Sequence, residues 1–171
     1  MGSERIRKGS VILNAAELKT IRESLGLTSQ WLADQVGVRL RTVQYWESGR
    51  NSVPQDVEEL LQNIDASINQ SVSETLKLVS EKEANDLVLI RYKNDEDLWH
   101  YRPDMKPLPA TCHASMLSRI LLKLKEKNIE CSICYMEPNE YNKWLGGRKD
   151  TEQNRAEWAQ TPNTTTKRDR Q

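Results

Sequence analysis

The stretch from Arg39 to Ser48 carries the side chains best suited to specific chemistry. Its apolar residues Val43 and Trp46 are spaced for one face of a helix. The positions between them hold hydrogen-bonding side chains and no acid: Arg39, Arg41, Thr42, Gln44, Tyr45 and Ser48. Such a face is suited to bonding the base edges and phosphates of a nucleic acid.

Two short helical patterns on either side of a tight turn would position this face. In the first pattern Leu32, Ala33 and Val36 share one side, and Gly37 follows as the left-handed residue that ends the helix. The second pattern closes at Gly49. A helix-turn-helix lays its second helix in the major groove in this way, with its first residues against the base edges.

The pattern L-T-x-x-x-L-A-x-x-x-G-V-x-x-x-T-V-x-x-W-E-x-G is met at Leu27, Thr28, Leu32, Ala33, Gly37, Val38, Thr42, Val43, Trp46, Glu47 and Gly49. The stretch therefore resembles the phage-repressor-like (Xre/Cro/C1) helix-turn-helix family. The longer string RTVQYWESGRNSVPQDVEELL is similar to the anti-CRISPR-associated (Aca) regulators of phages and their YdiL-like bacterial relatives. The family usually places Gln where Ser29 stands.

Placed on that motif, the residues nearest the floor of the groove are Leu40, Arg41, Gln44 and Tyr45. Arg41 could bond O6 and N7 of a guanine together, and Gln44 could bond an adenine in the same way or grip a phosphate. Leu40 offers apolar contact to a thymine methyl, and Tyr45 could contact base or backbone. The phosphate candidates are Ser29, Arg39, Thr42, Ser48, Arg50 and Asn51. For each of them the alternative is an ordinary solvated surface residue.

A preceding helix supports this unit. Asn14 and Glu17 form a capping-box pattern, and Gly26 follows the apolar stripe as a helix end. The resemblance implies an ion pair between Arg22 on this helix and Glu47 at the end of the third helix. We expect the pair to be partly buried and structural, because a buried pair fixes geometry more surely than it adds stability.

The rest of the chain changes from helical to mixed patterns. From Asp56 an apolar stripe predicts one helix or two to about residue 80, and its later part leaves a face for a dimer seam or for the next domain. Residues 86–92 and 129–136 read as strands, and residues 110–127 as an amphipathic helix. The segment 93–101 is a helix or a strand. A lone strand pair is marginal, which makes pairing across a dimer plausible.

The predicted fold class is α+β: an N-terminal all-α helix-turn-helix domain of four or five helices, followed by a small α+β dimerisation domain. The predicted segments are a flexible basic arm (1–12), the helix-turn-helix domain (13–66), a connecting helix (67–85), the α+β domain (86–146) and a disordered tail (147–171). The arm is a frayed terminus or a minor-groove contact through Arg5, Arg7 and Lys8.

Charge is sorted along the chain although the net charge is zero. Residues 1–55 hold eight Lys and Arg against five Asp and Glu, whereas residues 56–85 hold two against seven. Because phosphate binding depends on the local field, the zero total does not exclude a nucleic-acid partner. No apolar run approaches the ~20 residues of a membrane span. We expect a cytoplasmic, nucleoid-associated protein with no membrane partner and three reduced cysteines.

A metal site is the competing chemical interpretation. Cys112, His113, Cys131 and Cys134 are residue types that zinc prefers. Cys131 and Cys134 fall in a predicted strand, however, where residues three apart point to opposite faces. Small apolar core cysteines explain them better, so we predict no metal and no cofactor. The sequence also lacks a Gly-rich phosphate loop and a G-x-S-x-G motif, which argues against an enzyme.

Two functions follow from these patterns. The first is a transcriptional regulator that binds an inverted-repeat DNA operator as a homodimer. The resemblance implies an autorepressor in a phage or mobile-element operon of the anti-CRISPR-associated type. The second is the antitoxin of a toxin–antitoxin pair, whose C-terminal half binds a protein partner.

Overall fold

The computed structural model describes residues 13–82 and 87–161. Within these ranges the chain forms eight α-helices, one short 3-10 helix (Pro103–Met105) and two β-strands. The helices are α1 (Ala15–Ser24), α2 (Ser29–Val36), α3 (Leu40–Glu47), α4 (Gln55–Lys82), α5 (Asp95–Tyr101), α6 (Ala110–Glu126), α7 (Pro138–Leu145) and α8 (Glu152–Ala159). The strands are β1 (Leu87–Arg91) and β2 (Cys131–Tyr135).

Contacts divide the chain into two compact units with the boundary between Asp65 and Ala66. In its described part, residues 13–65, the first unit has helices as its only regular secondary structure, and the second unit contains the two-stranded sheet with its helices. The predicted fold class, a helical domain followed by a small α+β domain, is confirmed. In the described ranges every helix is too short or too polar to span a bilayer.

The helices of the first unit begin and end at residues that the sequence marks. The side chain of Asn14 accepts the backbone N–H of Glu17 at 3.0 Å, and the Glu17 carboxylate accepts the N–H of Asn14 at 2.8 Å. This reciprocal pair is the predicted capping box. Thr28 caps α2 by accepting the N–H of Trp31, and Gly37 ends α2 with φ of 70°. The helix end at Gly37 is the one predicted from the sequence, and Thr is among the residue types favoured at an N-cap.

The core of the first unit is formed by α1, α2, α3 and the first part of α4. Its buried apolar side chains are Leu18, Leu25, Leu27, Leu32, Ala33, Val43, Trp46, Val53, Val57, Leu61 and Ile64. Removing one such aliphatic side chain from water contributes about 1.5–3 kcal/mol. The apolar faces of α2 and α3 are buried in this core, and the opposite face of α3 is exposed to solvent.

Helix α4 is a single helix of 28 residues, which resolves the choice between one helix and two. No Gly or Pro interrupts it, and its apolar residues recur at three- and four-residue intervals. Val57 and Leu61 are buried in its first part, and Ile68 and Val72 are buried in its later part.

The sheet of the second unit is parallel, with Leu87 opposite Cys131 at one end and Arg91 opposite Tyr135 at the other. Parallel strands need a crossover connection, which α5, the 3-10 helix and α6 supply. For the segment 93–101 the sequence allowed either a helix or a strand, and the structure shows a helix, α5. The side chain of Asn94 caps α5 by accepting the N–H of Asp97 at 2.8 Å.

The predicted disordered tail is wrong for the part of residues 147–171 that the structure describes. Helix α8 lies there, and Trp158 and Ala159 are buried in the core of the second unit. Arg155, only 9% exposed, pairs with Asp150 through Nη1 and Oδ2 at 2.6 Å. The helix was missed because a buried charged residue supplies part of its inner face, which leaves little apolar periodicity in the sequence.

Three parts of the predicted segments fall outside the described residues. They are the basic arm at residues 1–12, the end of the connecting helix and the start of the first predicted strand at residues 83–86, and the last part of the predicted tail at residues 162–171.

Candidate nucleic-acid interface

An ion pair links α1 to the end of α3. Nε of Arg22 donates to Oε1 of Glu47 at 2.5 Å, and Nη1 of Arg22 donates to the carbonyl oxygen of Leu27 at 2.6 Å. The two charged side chains are 7% and 11% exposed. Charge-assisted bonds of this kind have defined directions, so the pair fixes the orientation of α3 against α1.

The same pair removes the only acid of α3 from its outer surface. The hydroxyl of Ser29 also faces this pair, at 3.4 Å from both carboxylate oxygens of Glu47. A phosphate contact by the Ser29 side chain would therefore require its hydroxyl to turn away from Glu47. The outer face of α3 is consequently left with cationic and neutral polar groups.

That outer face gathers the residues that the sequence assigned to DNA. Val43 and Trp46 point into the core, while Arg39, Arg41 and Gln44 are exposed. Leu40, Thr42 and Tyr45 are half-buried. Arg39 occupies the N-cap of α3, and its side chain makes no capping bond. Its charge therefore stays available at the end of the helix that would enter a groove.

Arg41, Tyr45 and Arg50 form a column along this face. Nε of Arg41 donates to the hydroxyl of Tyr45 at 2.6 Å, and Cζ of Arg41 lies 5.4 Å from the centre of the tyrosine ring. Cζ of Arg50 lies 4.6 Å from the same ring centre, within range of a cation–π contact. Tyr45 thus contacts both guanidinium groups.

The residues after α3 are held by its last turn. The backbone N–H groups of Arg50 and Asn51 both donate to the carbonyl oxygen of Tyr45, at 2.9 and 3.2 Å. Oγ of Ser48 donates to the same carbonyl at 3.2 Å. Ser48, Arg50 and Asn51 are all exposed, so three of the phosphate candidates lie together at the C-terminal end of α3.

The structure thus brings the four base-reading candidates together on one helix, with phosphate candidates at both of its ends. Sequence reasoning missed one feature of this site, the hydrogen bond between Arg41 and Tyr45. The signal was present, because residues four apart on a helix are neighbours on its surface.

The competing cysteine and histidine set lies in the second unit. Cys112 and Cys134 are buried, and Cys131 is half-buried. Burial raises the pKa of the Cys112 thiol to about 11, which keeps it protonated. Among residues 13–82 and 87–161, no group of three or more His, Cys, Asp or Glu side chains is arranged to hold a metal ion.

His113 is the most unusual polar residue of the second unit. It is 3% exposed, and its Nδ1 atom has no hydrogen-bond partner. Burial lowers its pKa to about 4, with a smaller contribution from Arg102 and Arg91. The imidazole is therefore neutral at physiological pH and packs 5.3 Å from the ring of Tyr92, centre to centre.

The fold and the site define a class of two-unit protein, with an N-terminal helix-turn-helix arrangement and a C-terminal α+β unit. A family model described as Aca2/YdiL-like matches residues 13–131, which is most of the chain. The chain belongs to this Aca2/YdiL-like family.

A curated relative, the "Aca2 repressor" of Pectobacterium phage ZF40, is 50% identical over 44 residues. The match covers 25% of this chain and 38% of that repressor, so the chain matches well under half of the relative's length.

Proposed function

We propose that this chain is a sequence-specific, DNA-binding transcriptional regulator. The observation that carries the proposal is the outer face of α3. Arg39, Arg41 and Gln44 are exposed there, whereas Glu47 is turned inward onto Arg22. A helix with buried apolar residues on one side and acid-free polar residues on the other suits insertion into the major groove.

Base edges would be contacted from the first two turns of α3. The guanidinium of Arg41 can donate two parallel hydrogen bonds to O6 and N7 of guanine. Gln44, one turn along, can pair with N6 and N7 of adenine. Leu40 at the start of the helix would contact a thymine methyl group. These contacts would supply the sequence preference.

Phosphate contacts would fix the helix in the groove. Arg39 lies at the N-terminal end of α3, and Arg50 and Asn51 lie beyond its C-terminal end. Thr42, Ser48 and Ser29 would add neutral hydrogen bonds. Such contacts position a protein on the duplex and make its affinity depend on salt.

The regulator would bind an inverted repeat as a homodimer, because a module this small rarely binds one site specifically by itself. The second unit has apolar surface that a second copy would cover. Leu78 and Leu122 are 55% and 58% exposed, and the strand pair is short for a sheet that stands alone. Two recognition helices would then lie about 34 Å apart, one turn of the duplex.

The regulated genes would be those of a phage or mobile-element operon, including the regulator's own gene. Support comes from membership of the Aca2/YdiL-like family and from the local similarity to a phage protein named as a repressor. An operon of the anti-CRISPR-associated type is the expected setting.

Selection of bound duplexes from a random DNA pool tests the proposal. We expect enrichment of an inverted repeat with half-site centres about 10 base pairs apart and a guanine at a fixed position in each half. The Arg41→Glu variant, which puts an acid on the same face, serves as the matched control and should enrich no sequence. Failure of the unaltered protein to enrich any sequence would refute the proposal. Light scattering after size exclusion tests the homodimer separately.

A further inference from the structure

We propose that Tyr45 is a positioning residue, which holds the Arg41 guanidinium ready for guanine and does not itself contact a base. This inference rests on the proposed function and names the side chain that sets its specificity. It also changes the role that the sequence suggested for Tyr45, namely contact with base or backbone.

The geometry of the pair supports this role. The Tyr45 hydroxyl accepts the Nε proton of Arg41 at 2.6 Å, a short distance for a bond from a charged donor. The two residues are four apart on α3, so the bond lies along the helix surface. The bond directs the hydroxyl oxygen of Tyr45 towards Arg41, so the hydrogen-bonding role it has in the free protein is to hold that side chain.

Tyr45 is itself held in place from two directions. It is half-buried, and the Arg50 guanidinium packs against its ring at 4.6 Å. The backbone N–H of Arg50 also donates to the carbonyl oxygen of Tyr45 at 2.9 Å. A restrained tyrosine can restrain the exposed arginine that is bonded to it.

The bond to Tyr45 also determines which edge of Arg41 remains for DNA. A guanidinium has five N–H donors, one on Nε and two on each terminal nitrogen. With Nε engaged by Tyr45, the two terminal nitrogens form the remaining edge. That edge can still donate two parallel bonds to O6 and N7 of guanine, so the internal bond and the guanine contact are compatible.

The expected benefit is that Arg41 loses less freedom when it binds. An exposed arginine has many rotamers, and fixing such a side chain at an interface reduces affinity by about 2- to 10-fold. If Tyr45 already restricts Arg41 in the free protein, binding costs less side-chain freedom and the affinity is higher. A variant that lacks only the Tyr45 hydroxyl should lose this gain in affinity.

A double-mutant cycle tests the inference. Affinities of the unaltered protein, Tyr45→Phe, Arg41→Ala and the double variant are measured for the selected operator and for each of its single-base substitutions. Tyr45→Phe keeps the ring, its packing and the Arg50 contact, so the fold should be preserved. Tyr135→Phe, at an exposed tyrosine in the second unit, is the matched control and should bind like the unaltered protein.

We expect Tyr45→Phe to weaken operator binding about 2- to 10-fold and to relax preference at the same base pair as Arg41→Ala. The double variant should bind no more weakly than Arg41→Ala alone, because Tyr45 acts through Arg41.

Three results would overturn the inference. They are an unchanged affinity in Tyr45→Phe, relaxation at a different base pair, and losses that simply add in the double variant. Each is distinct from failure of the proposed function, in which the unaltered protein would select no operator at all.

Discussion

Nε of Arg22 on α1 lies 2.5 Å from Oε1 of Glu47 at the end of α3, and both side chains are almost completely shielded from water. This ion pair has two separate roles. It fixes the first helix to the third, and it turns the acid of α3 away from the surface proposed to meet DNA. Loss of the pair should therefore affect both stability and the charge of that surface.

Replacing Glu47 by Ala should lower the free energy of unfolding of the first unit by about 3–5 kcal/mol, because the buried Arg22 would lose the carboxylate that is buried beside it. Urea denaturation followed by far-UV circular dichroism measures the loss, and hydrogen exchange of the α1 and α3 amides assigns it to this unit. Glu23→Ala is the matched control. Glu23 contacts the same arginine at 3.5 Å but is 56% exposed, so its loss should cost below about 1 kcal/mol. Equal losses in the two variants would contradict the structural role.

Arg41→Ala and Arg39→Ala should weaken DNA binding in different ways. Arg41→Ala should cost about 1–3 kcal/mol and relax preference at one base pair, because it removes a direct contact to a base. Arg39→Ala should weaken binding evenly across sequences and reduce the salt slope by about 1, because it removes one phosphate contact. Fluorescence anisotropy at several salt concentrations measures both. Identical behaviour of the two variants would show that α3 does not lie in the groove as proposed.

The free energy of unfolding should depend on pH because His113 is buried as a neutral imidazole. Its pKa is about 4 in the folded protein and 6.5 when unperturbed, so the unfolded chain takes up a proton first as the pH falls. The contribution of His113 to the free energy of unfolding is thus fully present above pH 6.5 and is lost on acidification towards pH 4. Between pH 7 and pH 5 the loss should be about 2 kcal/mol.

The comparison of His113→Leu with the unaltered protein isolates this effect. Leu cannot titrate, so the decrease in unfolding free energy between pH 7 and pH 5 should be about 2 kcal/mol smaller in the variant. Denaturation at the two pH values measures it. The same decrease in both proteins would mean that His113 is not held neutral by burial.

Helix α8 should stabilise the second unit. Trp158 is 3% exposed, and its ring centre lies 5.6 Å from that of Tyr141. Trp158→Ala should cost about 3–5 kcal/mol of unfolding free energy, because it opens a cavity in this core. Gln153→Ala on the exposed side of the same helix should change stability by less than about 0.5 kcal/mol. Denaturation curves that are alike for the two variants would contradict the packing of α8.

The first unit could be predicted closely because its signals are local. Asn14, Thr28 and Gly37 have side-chain or backbone preferences that act within a few residues and mark where helices begin and end. The Arg22–Glu47 contact lies across 25 residues, and it was expected only through the resemblance to a known motif. Spacing alone does not reveal a contact of that kind.

The second unit was less predictable because its key contacts are distant in sequence. Pairing of β1 with β2 joins residues such as Val88 and Ser132. The burial of α8 depends on the Arg155–Asp150 pair and on contacts with the core around Tyr141. Because the charged Arg155 lies on the inner face of α8, the sequence of this helix lacks the apolar periodicity by which a helix is predicted.

A crystal structure of the protein bound to its selected operator would test the central claim most directly. We expect α3 in the major groove, with the terminal nitrogens of Arg41 within hydrogen-bond distance of O6 and N7 of a guanine. A complex in which α3 faces solvent, or in which another surface of the protein contacts the bases, would contradict it.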